Sequence, residues 1–254
     1  MTYWVDVVHD GPARTQLIMQ KQIVFVTSTD TGVGKTMLMT LLARHWRSRH
    51  FAVAALKPIC SGGRADARAI QSALDGALTL DEINPWHFRA PLAPLLAARR
   101  EGRSVRRADV LAHVRKVQRN FDLVLVEGAG GLLSPLGEDF NARDLIAALR
   151  ARPVIVCLNR LGAVNQALLV LTALPPGVAA AAPVALMSPP RADAASRSNP
   201  KLLAEFVAPG CVIVLPRLSH DQQAPATLKS PGARRTLDAL TQQLLPRGSV
   251  EPAR

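Results

Sequence analysis

A glycine-rich loop near the start of the chain is the first segment whose residues point to chemistry. Residues 28–36 read STDTGVGKT and stand between a short apolar run and a segment with helical periodicity. A loop that leads from a strand into a helix offers free backbone N–H groups, and these bind phosphate oxygens. Lys35 would add a positive charge near the β- and γ-phosphates, and the Thr36 hydroxyl suits Mg²⁺. The loop therefore predicts a nucleotide-phosphate site, although Thr29 stands where the strict motif has glycine.

A second polar loop, LKPICSGG at 56–63, follows the next apolar run. Lys57 stands at the end of a predicted strand and should project into the same crevice as the phosphate loop. Taken alone, a lysine in such a position is more often a solvated surface residue. Ser61 and the two glycines after it offer a hydroxyl and open backbone to an anion. Asp66 begins the next helix, where it is either a carboxylate favoured by the helix dipole or a Mg²⁺ ligand.

An acidic residue ends the third apolar run, in LVLVEGAGGLLSPL at 123–136. Glu127 occupies the position of a Walker-B carboxylate, which holds Mg²⁺ directly or through water. Gly130 and its neighbouring glycines let the backbone approach a substrate closely, although a tight turn would also require them. The carboxylate beside this run of glycines favours a functional loop.

A fourth loop lies in LNRLGAVNQALL at 158–169. Gly162 turns the chain and a helix begins at about Ala163, so the free N–H groups of that helix would bind a carboxylate. Asn165 would add a side-chain donor to the same site. By itself, however, the segment is better described as an ordinary turn from a strand into a helix.

The elements that must position these loops alternate along the chain. Short apolar runs predict strands, at 23–26, 52–56, 123–126, 154–158, 183–187 and 211–215. Segments with helical periodicity predict helices, at 37–46, 65–78, 106–119, 163–174 and 234–245. Residues 84–94 contain three prolines, which exclude a long element there.

This alternation is typical of βαβ units and predicts the fold class. We expect an α/β fold, a single doubly wound domain with a mostly parallel sheet and helices on both faces. The domain should span 22–246. An N-terminal extension at 1–21 precedes it and a polar tail at 247–254 follows it.

The composition restricts the class of protein. The 254 residues include 31 basic residues, 25 of them arginine, against 19 acidic ones, so the formal net charge is +12. Such a charge suits a polyanion partner, but the arginines are spread along the chain with few aromatic residues for stacking on bases. A compositional bias is therefore favoured, and we expect no nucleic-acid partner. The content of 48% hydrophobic residues excludes intrinsic disorder.

The sequence favours neither a membrane protein nor a secreted one. Its longest apolar stretch, 178–187, contains Pro183 and falls short of the roughly 20 residues that a membrane helix needs. The three cysteines are far apart and form no CxxC pair, so neither a disulfide framework nor a zinc site is indicated. The first residues lack the basic and apolar regions of a signal peptide. We therefore expect no membrane partner and a cytoplasmic enzyme.

Taken in order, these loops resemble those of the dethiobiotin synthetases, a family of the P-loop NTPase superfamily. The family's phosphate loop runs Gly-Thr-Asp-Thr followed by Val-Gly-Lys-Thr, and residues 28–36 are similar to it. The other matching motifs are Lys57-Pro58 with Ser61, Asn84-Pro85-Trp86 with the proline-rich stretch to Pro94, Val126-Glu127-Gly128-Ala129-Gly130-Gly131, and Leu161-Gly162-Ala163-Val164-Asn165. The resemblance covers about residues 22–218 and implies a sheet of the P-loop NTPase type.

The resemblance also implies an activity. Such enzymes convert 7,8-diaminopelargonate, CO₂ and ATP into dethiobiotin, ADP and phosphate in biotin biosynthesis, with Mg²⁺ as cofactor. An amine of the diamine takes up CO₂ as a carbamate, ATP phosphorylates the carbamate, and the neighbouring amine closes a cyclic urea. A homodimer is implied as well, because in the family the segment that matches 162–165 comes from the partner subunit.

The same resemblance assigns roles to residues of this chain. The catalytic residues would be Thr31, Lys35 and Lys57. The nucleotide would be bound by Asp30, Thr31, Gly32, Val33, Gly34, Lys35, Thr36, Glu127 and Pro216. The diamine or its carbamate would be bound by Ser61, Gly130, Gly162 and Asn165. The Mg²⁺ ligands would be Thr36, Asp66 and Glu127.

Two departures from the family pattern keep other functions open. Ser28 replaces the family's first glycine, and Leu186-Met187-Ser188 stands where the family commonly has an asparagine that reads adenine. Base selectivity therefore does not follow from the sequence, since a leucine cannot replace amide hydrogen bonds. One alternative is a related ATP-dependent carboxylating or ligating enzyme that acts on another diamine or carboxylate. Another is an ATP switch of the partitioning-ATPase type, against which the lack of an additional lysine in 28–33 counts.

Overall fold

Eight short strands and nine α-helices account for most of the part of the chain that the computed structural model describes, residues 21–216 and 230–246. The expected tail at 247–254 lies outside the described residues, and so does the expected extension at 1–21 except for Lys21. The strands are β1 (Gln22–Ser28), β2 (Val53–Leu56), β3 (Ile59–Ser61), β4 (Trp86–Phe88), β5 (Leu123–Glu127), β6 (Arg152–Leu158), β7 (Val184–Met187) and β8 (Val212–Leu215).

Six of these strands form one sheet in the order β2-β5-β1-β6-β7-β8, and all its neighbouring strands are parallel. The strands β3 and β4 pair separately, also in parallel. The helices are α1 (Lys35–Arg47), α2 (Ala65–Ala73), α3 (Leu80–Ile83), α4 (Pro94–Arg100), α5 (Arg107–Gln118), α6 (Ala142–Leu149), α7 (Ala163–Ala173), α8 (Ala194–Ala204) and α9 (Pro231–Leu244). None of the described helices is long and apolar enough to cross a membrane.

Connections in opposite directions place helices on both faces of the sheet. The chain passes from β1 through α1 to β2 in one direction, and from β5 through α6 to β6 in the other. Because crossovers between parallel strands are right-handed, connections in opposite directions lie on opposite faces. Accordingly, α1 packs against α2 and α9, whereas α5 packs against α6. The predicted α/β fold with a doubly wound parallel sheet is confirmed.

A buried contact in the core links α1, the helix after the phosphate loop, to α9, the last described helix. The central strands are buried on both faces, which explains their continuous apolar sequences. Trp46 of α1 is fully buried, and its indole Nε1 donates a hydrogen bond of 2.9 Å to Thr241 Oγ1 of α9. This bond satisfies both buried polar groups and holds α1 in place behind the loop that it supports.

Two segments differ from the sequence-based expectation in ways that turn chemistry explains. The helix expected at 65–78 ends at Ala73, because Asp75 and Gly76 have φ angles of 51° and 75°, which an α-helix cannot contain. The proline-rich segment 84–94 holds the short strand β4. It also leads into α4, which begins at Pro94, where a missing N–H costs nothing.

Sequence periodicity did not predict α6 and α8, two helices of 8 and 11 residues. Each begins at a capping box, a pair of residues three positions apart. The side chain of the first residue accepts the backbone N–H of the second, and the side chain of the second accepts the backbone N–H of the first. The pairs are Asn141 with Asp144 and Asp193 with Ser196. These capping residues are the available signal. The helix α6 has only 8 residues, and α8 contains Pro200, a residue that argues against a helix interior.

Candidate active site

The register of three neighbouring strands brings the predicted site residues to one edge of the sheet. Leu56 on β2 lies opposite Val126 on β5, and the next residues along these strands are Lys57 and Glu127. Val26 of β1 lies opposite Glu127 on the other side of β5, so the phosphate loop begins close by. Side chains that are 70 positions apart in sequence therefore meet because two parallel strands end at the same level.

A cavity of about 700 Å³ opens at this edge. Its wall comes from the phosphate loop, from the loops after β2 and β5, and from the proline-rich segment before α4. The predicted site residues in the wall are Thr31, Gly32, Gly34, Lys35, Thr36, Lys57, Ser61, Asp66, Glu127 and Gly130. The fold thus gathers residues from three of the four loops that the sequence indicates.

The phosphate loop is held in shape from both ends. Gly34 has a φ of 101°, and a Cβ at this position would come within 2.9 Å of Met187 Cε. The helix α1 starts at the next residue, Lys35, whose ammonium donates to Ser28 Oγ at 2.9 Å and to the Asp30 carbonyl at 3.1 Å. Ser28, where the sequence departs from the family pattern, therefore has a role: its buried hydroxyl tethers the Lys35 ammonium.

Lys57 is a buried residue and not a solvated surface lysine. Its ammonium donates to Glu127 Oε1 at 2.8 Å and also to Asp66 Oδ2. The Thr36 hydroxyl donates to the same Glu127 oxygen at 2.8 Å. The carboxylate of Asp66, for which the sequence left two roles open, therefore faces the site.

Burial and charge shift the pKa values of three groups in this cluster. Burial lowers the pKa of Lys35 to about 8, although the neighbouring Glu127 carboxylate opposes that shift. Burial also acts to lower the pKa of Lys57, but Glu127 and Asp66 outweigh it, so this pKa lies above its ordinary value. Burial raises the pKa of Glu127 against the opposing charge of Lys57. Both lysines are consequently cationic at neutral pH, beside a cavity suited to anions.

Oxygen atoms that suit Mg²⁺ lie together in the wall. Thr36, Asp66 and Glu127 offer hydroxyl and carboxylate oxygens, the hard ligands that Mg²⁺ prefers. The Oε2 atom of Glu127 is buried without a hydrogen-bond partner, which is costly unless a cation or water satisfies it. No group of three or more His, Cys, Asp or Glu side chains in the described ranges is arranged to hold a metal. Few protein ligands are typical of Mg²⁺ that binds together with nucleotide phosphates and water, so these residues fit the ion.

The loop after β5 is anchored on the phosphate loop. Gly130 has a φ of 71°, and a Cβ there would lie 2.3 Å from Ser134 Oγ, so this position requires glycine. The backbone N–H of Gly131 donates to the same Ser134 oxygen at 2.9 Å. The N–H of Leu132 donates to the Ser28 carbonyl at 3.2 Å. These bonds place the Gly130 backbone at the cavity wall.

Asn84 is a residue of the site to which the sequence assigned no role. Its side chain is fully buried, and its amide nitrogen donates to the Lys57 carbonyl at 2.7 Å. Its amide oxygen accepts from the Cys60 thiol at 3.1 Å, and burial raises the pKa of that thiol, which stays neutral. Asn84 therefore fixes the backbone at Lys57. A polar amide beside a proline in a short apolar segment was the signal for such a role.

Three residues assigned to the nucleotide lie outside the cavity wall. The Asp30 carboxylate accepts from the Thr31 N–H at 2.7 Å within the phosphate loop, and Val33 of that loop is buried. Pro216 is exposed and directly precedes residues outside the described ranges. At the position where the family reads adenine, Met187 packs against Gly34. The roles of Asp30, Val33 and Pro216 stay predictions.

The fourth predicted loop is separate from this cavity. Gly162, with a φ of 87°, precedes α7, and both Gly162 and Asn165 are exposed. Neither residue lines the cavity of the described chain. Their assignment to substrate binding stays a prediction.

Comparison with known proteins agrees with this geometry. Residues 22–215 match a family described as AAA domain. The ATP-dependent dethiobiotin synthetase BioD of Bacillus velezensis is 41% identical over 147 residues, which are 56% of this chain and 63% of that protein. The protein of the same name from Anaeromyxobacter sp. (strain K) is 38% identical over 198 residues, 76% of this chain and 89% of that one.

The fold is also similar to that of a solved structure. A chain of the MinC:MinD cell division protein complex of Aquifex aeolicus has a TM-score of 0.55 at 14% identity, over 92% of this chain and 98% of that one. The sheet with its phosphate loop between β1 and α1 defines a P-loop nucleotide-binding protein of the AAA-domain class. Within that class the chain belongs to the dethiobiotin synthetase family, and membership implies the use of a nucleotide.

Proposed function

We propose that this chain is an ATP-dependent dethiobiotin synthetase. It would carboxylate 7,8-diaminopelargonate with CO₂ and close the product to the cyclic urea dethiobiotin, with release of ADP and phosphate. The similarity to the BioD proteins supports this activity. The observation that carries the proposal is that Lys35 and Lys57 line one cavity, because the carbamate and the γ-phosphate are both anions that cations must bring together.

The reaction requires no nucleophile from the protein. An amine of the substrate takes up CO₂ as a carbamate, whose oxygen attacks the γ-phosphorus of ATP and releases ADP. The neighbouring amine then attacks the carbonyl carbon, loses a proton and expels phosphate. Catalysis would come from positioning and charge neutralisation by Thr31, Lys35 and Lys57 and by the loop amides. Ser61 and Gly130 would bind the carbamate end of the substrate.

The nucleotide phosphates would lie along the loop at 28–36, with the Lys35 ammonium beside the β- and γ-phosphates. Thr36, Asp66 and Glu127 would hold Mg²⁺, which shields the phosphate charge. The free N–H groups at the start of α1 would bind the remaining phosphate oxygens. This arrangement uses the polar atoms that already face the cavity in the described structure.

The proposal includes a homodimer in which Gly162 and Asn165 of one subunit bind the far carboxylate of the substrate in the other. Leu161, which precedes α7, and Leu169 within it expose 86% and 62% of their surface, which supports a protein contact at this helix. Sedimentation of the purified chain would test the dimer. We further propose that the enzyme is cytoplasmic and that its partners are small molecules, neither nucleic acid nor membrane.

A product assay tests the proposal. The purified protein is incubated with 7,8-diaminopelargonate, bicarbonate and MgATP, and both phosphate release and dethiobiotin are measured, with each component omitted in turn. The same assay with GTP and CTP determines base selectivity. Lys57→Ala should lose turnover and keep nucleotide binding, whereas Lys116→Ala, on the exposed side of α5, should behave as the wild type.

Three outcomes would contradict the proposal. Nucleotide hydrolysis without dethiobiotin would exclude the synthetase activity. A product formed only from another diamine or carboxylate would indicate a related carboxylating or ligating enzyme. Hydrolysis that DNA or membranes stimulate, without a small-molecule product, would indicate an ATP switch.

A further inference from the structure

We propose that the Ser134 hydroxyl donates a hydrogen bond to the carbamate of the bound substrate. This inference rests on the proposed function and adds a binding residue that neither the sequence motifs nor the family resemblance assigns. Ser134 lies four residues after Gly130, on the loop that follows β5, and its side chain lines the cavity beside Thr31.

The position of Ser134 follows from its contacts with the glycines of this loop. Its oxygen accepts the N–H of Gly131 at 2.9 Å, which fixes the side chain over the loop. A Cβ placed on Gly130 would lie 2.3 Å from the Ser134 oxygen and 3.8 Å from Thr31 Oγ1. Both hydroxyls therefore lie on the same side of Gly130, the residue at which the proposed function places the carbamate.

The hydrogen of this hydroxyl is available to a ligand. A serine hydroxyl has one hydrogen to donate, besides its capacity to accept. The Gly131 N–H uses the accepting side, and no described residue accepts the hydrogen of Ser134. A carbamate brings two oxygen acceptors, so a donor at the cavity wall suits it. Hydrogen bonds to a charged group are among the stronger ones in proteins.

The contacts of this loop also indicate which effects a substitution of Ser134 would have if its role were purely structural. The residue after Gly131, Leu132, donates its N–H to the carbonyl of Ser28, which lies at the start of the phosphate loop. A loop that moved after loss of the Gly131 bond would therefore disturb nucleotide binding as well. A lost contact to the carbamate would instead raise the KM for the diamine and leave the nucleotide affinity unchanged.

The test compares the wild type with Ser134→Ala, Ser134→Thr and Ser198→Ala. Ser198 is an exposed serine of α8 and serves as the matched control. The KM for the diamine substrate is measured with saturating MgATP and bicarbonate, and the affinity for MgADP is measured by calorimetry. Ser134→Ala should raise the KM for the diamine roughly tenfold, the order expected for a hydrogen bond to a charged group, with MgADP affinity within about twofold of wild type. Ser134→Thr, which keeps the hydroxyl, should restore most of the difference, and Ser198→Ala should change neither value.

The outcomes separate this inference from the proposed function. If the wild type forms dethiobiotin and Ser134→Ala has an unchanged KM, the assignment of Ser134 is wrong and the proposed function stands. If KM and MgADP affinity deteriorate together, Ser134 supports the loop only and the assignment is wrong. If the wild type forms no dethiobiotin, both fail. Should Ser134→Ala melt below the assay temperature, Ser134→Cys, with a poor donor of similar size, replaces it in the same comparison.

Discussion

The Lys57 ammonium lies 2.8 Å from Glu127 Oε1. A cation of the protein is therefore paired with a carboxylate that we propose as a ligand of Mg²⁺. The same ammonium donates to Asp66, the other carboxylate among the proposed ligands. A buried carboxylate without a counter-charge is costly, which explains why Glu127 pairs with Lys57. Under our proposal Lys57 and Mg²⁺ would therefore compete for these two carboxylates, and binding of the ion would free the ammonium for the substrate.

This competition predicts that Lys57→Met strengthens divalent-cation binding in the absence of nucleotide. Removal of the ammonium takes away the cation that contacts both Asp66 and Glu127, so we expect Mn²⁺ affinity to rise on the order of tenfold. Titration followed by electron paramagnetic resonance measures it, and Lys116→Met is the control. Mn²⁺ should also raise the melting temperature of Lys57→Met more than that of the wild type. Equal or weaker affinity in the variant would exclude the competition.

The pKa of about 8 at Lys35 predicts a pH dependence of nucleotide binding. A phosphate would bind the protonated form of Lys35 and raise the pKa of its ammonium. Above about pH 8 the free protein has largely lost this proton, so nucleotide binding must take up a proton. Affinity for MgADP should therefore be steady below this pH and fall by up to about tenfold per pH unit above it. Calorimetry between about pH 7 and 9.5 measures the profile. Lys35→Arg keeps its charge in this range and should lose the slope, and an identical slope in both proteins would refute the role of Lys35.

The buried amide of Asn84 predicts a loss of both stability and turnover in Asn84→Ala. The variant removes the donor to the Lys57 carbonyl and the acceptor of the Cys60 thiol, which should lower the free energy of unfolding by about 1–3 kcal/mol. Displacement of Lys57 should lower kcat at a temperature where the variant is folded. Urea denaturation and steady-state kinetics measure the two effects. Asn120→Ala, at an exposed position after α5, is the control. An unchanged kcat would show that Asn84 only stabilises the fold.

Two glycines with similar φ angles allow the effect of backbone strain to be distinguished from the effect of a crowded Cβ. Gly130 and Gly76 have φ angles of 71° and 75°, so alanine strains the backbone at both positions. At Gly76 a Cβ meets nothing within 4 Å, whereas at Gly130 it meets Ser134 Oγ at 2.3 Å. Gly76→Ala should lose roughly 1 kcal/mol of unfolding free energy and keep its activity. Gly130→Ala should lose more and also lose turnover. Equal effects in denaturation and kinetic assays would show that space at Gly130 is unimportant.

Most of the strands and helices of this protein, and the loops of its site, follow from local sequence. Runs such as those at 23–26 and 123–126 are apolar because their strands are buried on both faces, and that property is local enough to read without a structure. The phosphate loop is equally local, since its N–H groups and Lys35 belong to nine consecutive residues. The helices α6 and α8 are less evident in the sequence, because α6 has only 8 residues and α8 contains Pro200.

Which side chains meet depends on the folded chain. Contact between Lys57 and Glu127 depends on the parallel register of β2 and β5, and hydrogen bonding between Lys57 and Asp66 depends on where α2 begins. The amide of Asn84 and the oxygen of Ser134 gain their roles from backbone atoms that approach them in the folded chain. Local sequence carries propensity and pattern, whereas these distances follow from how distant segments pack, and packing is a property of the whole chain.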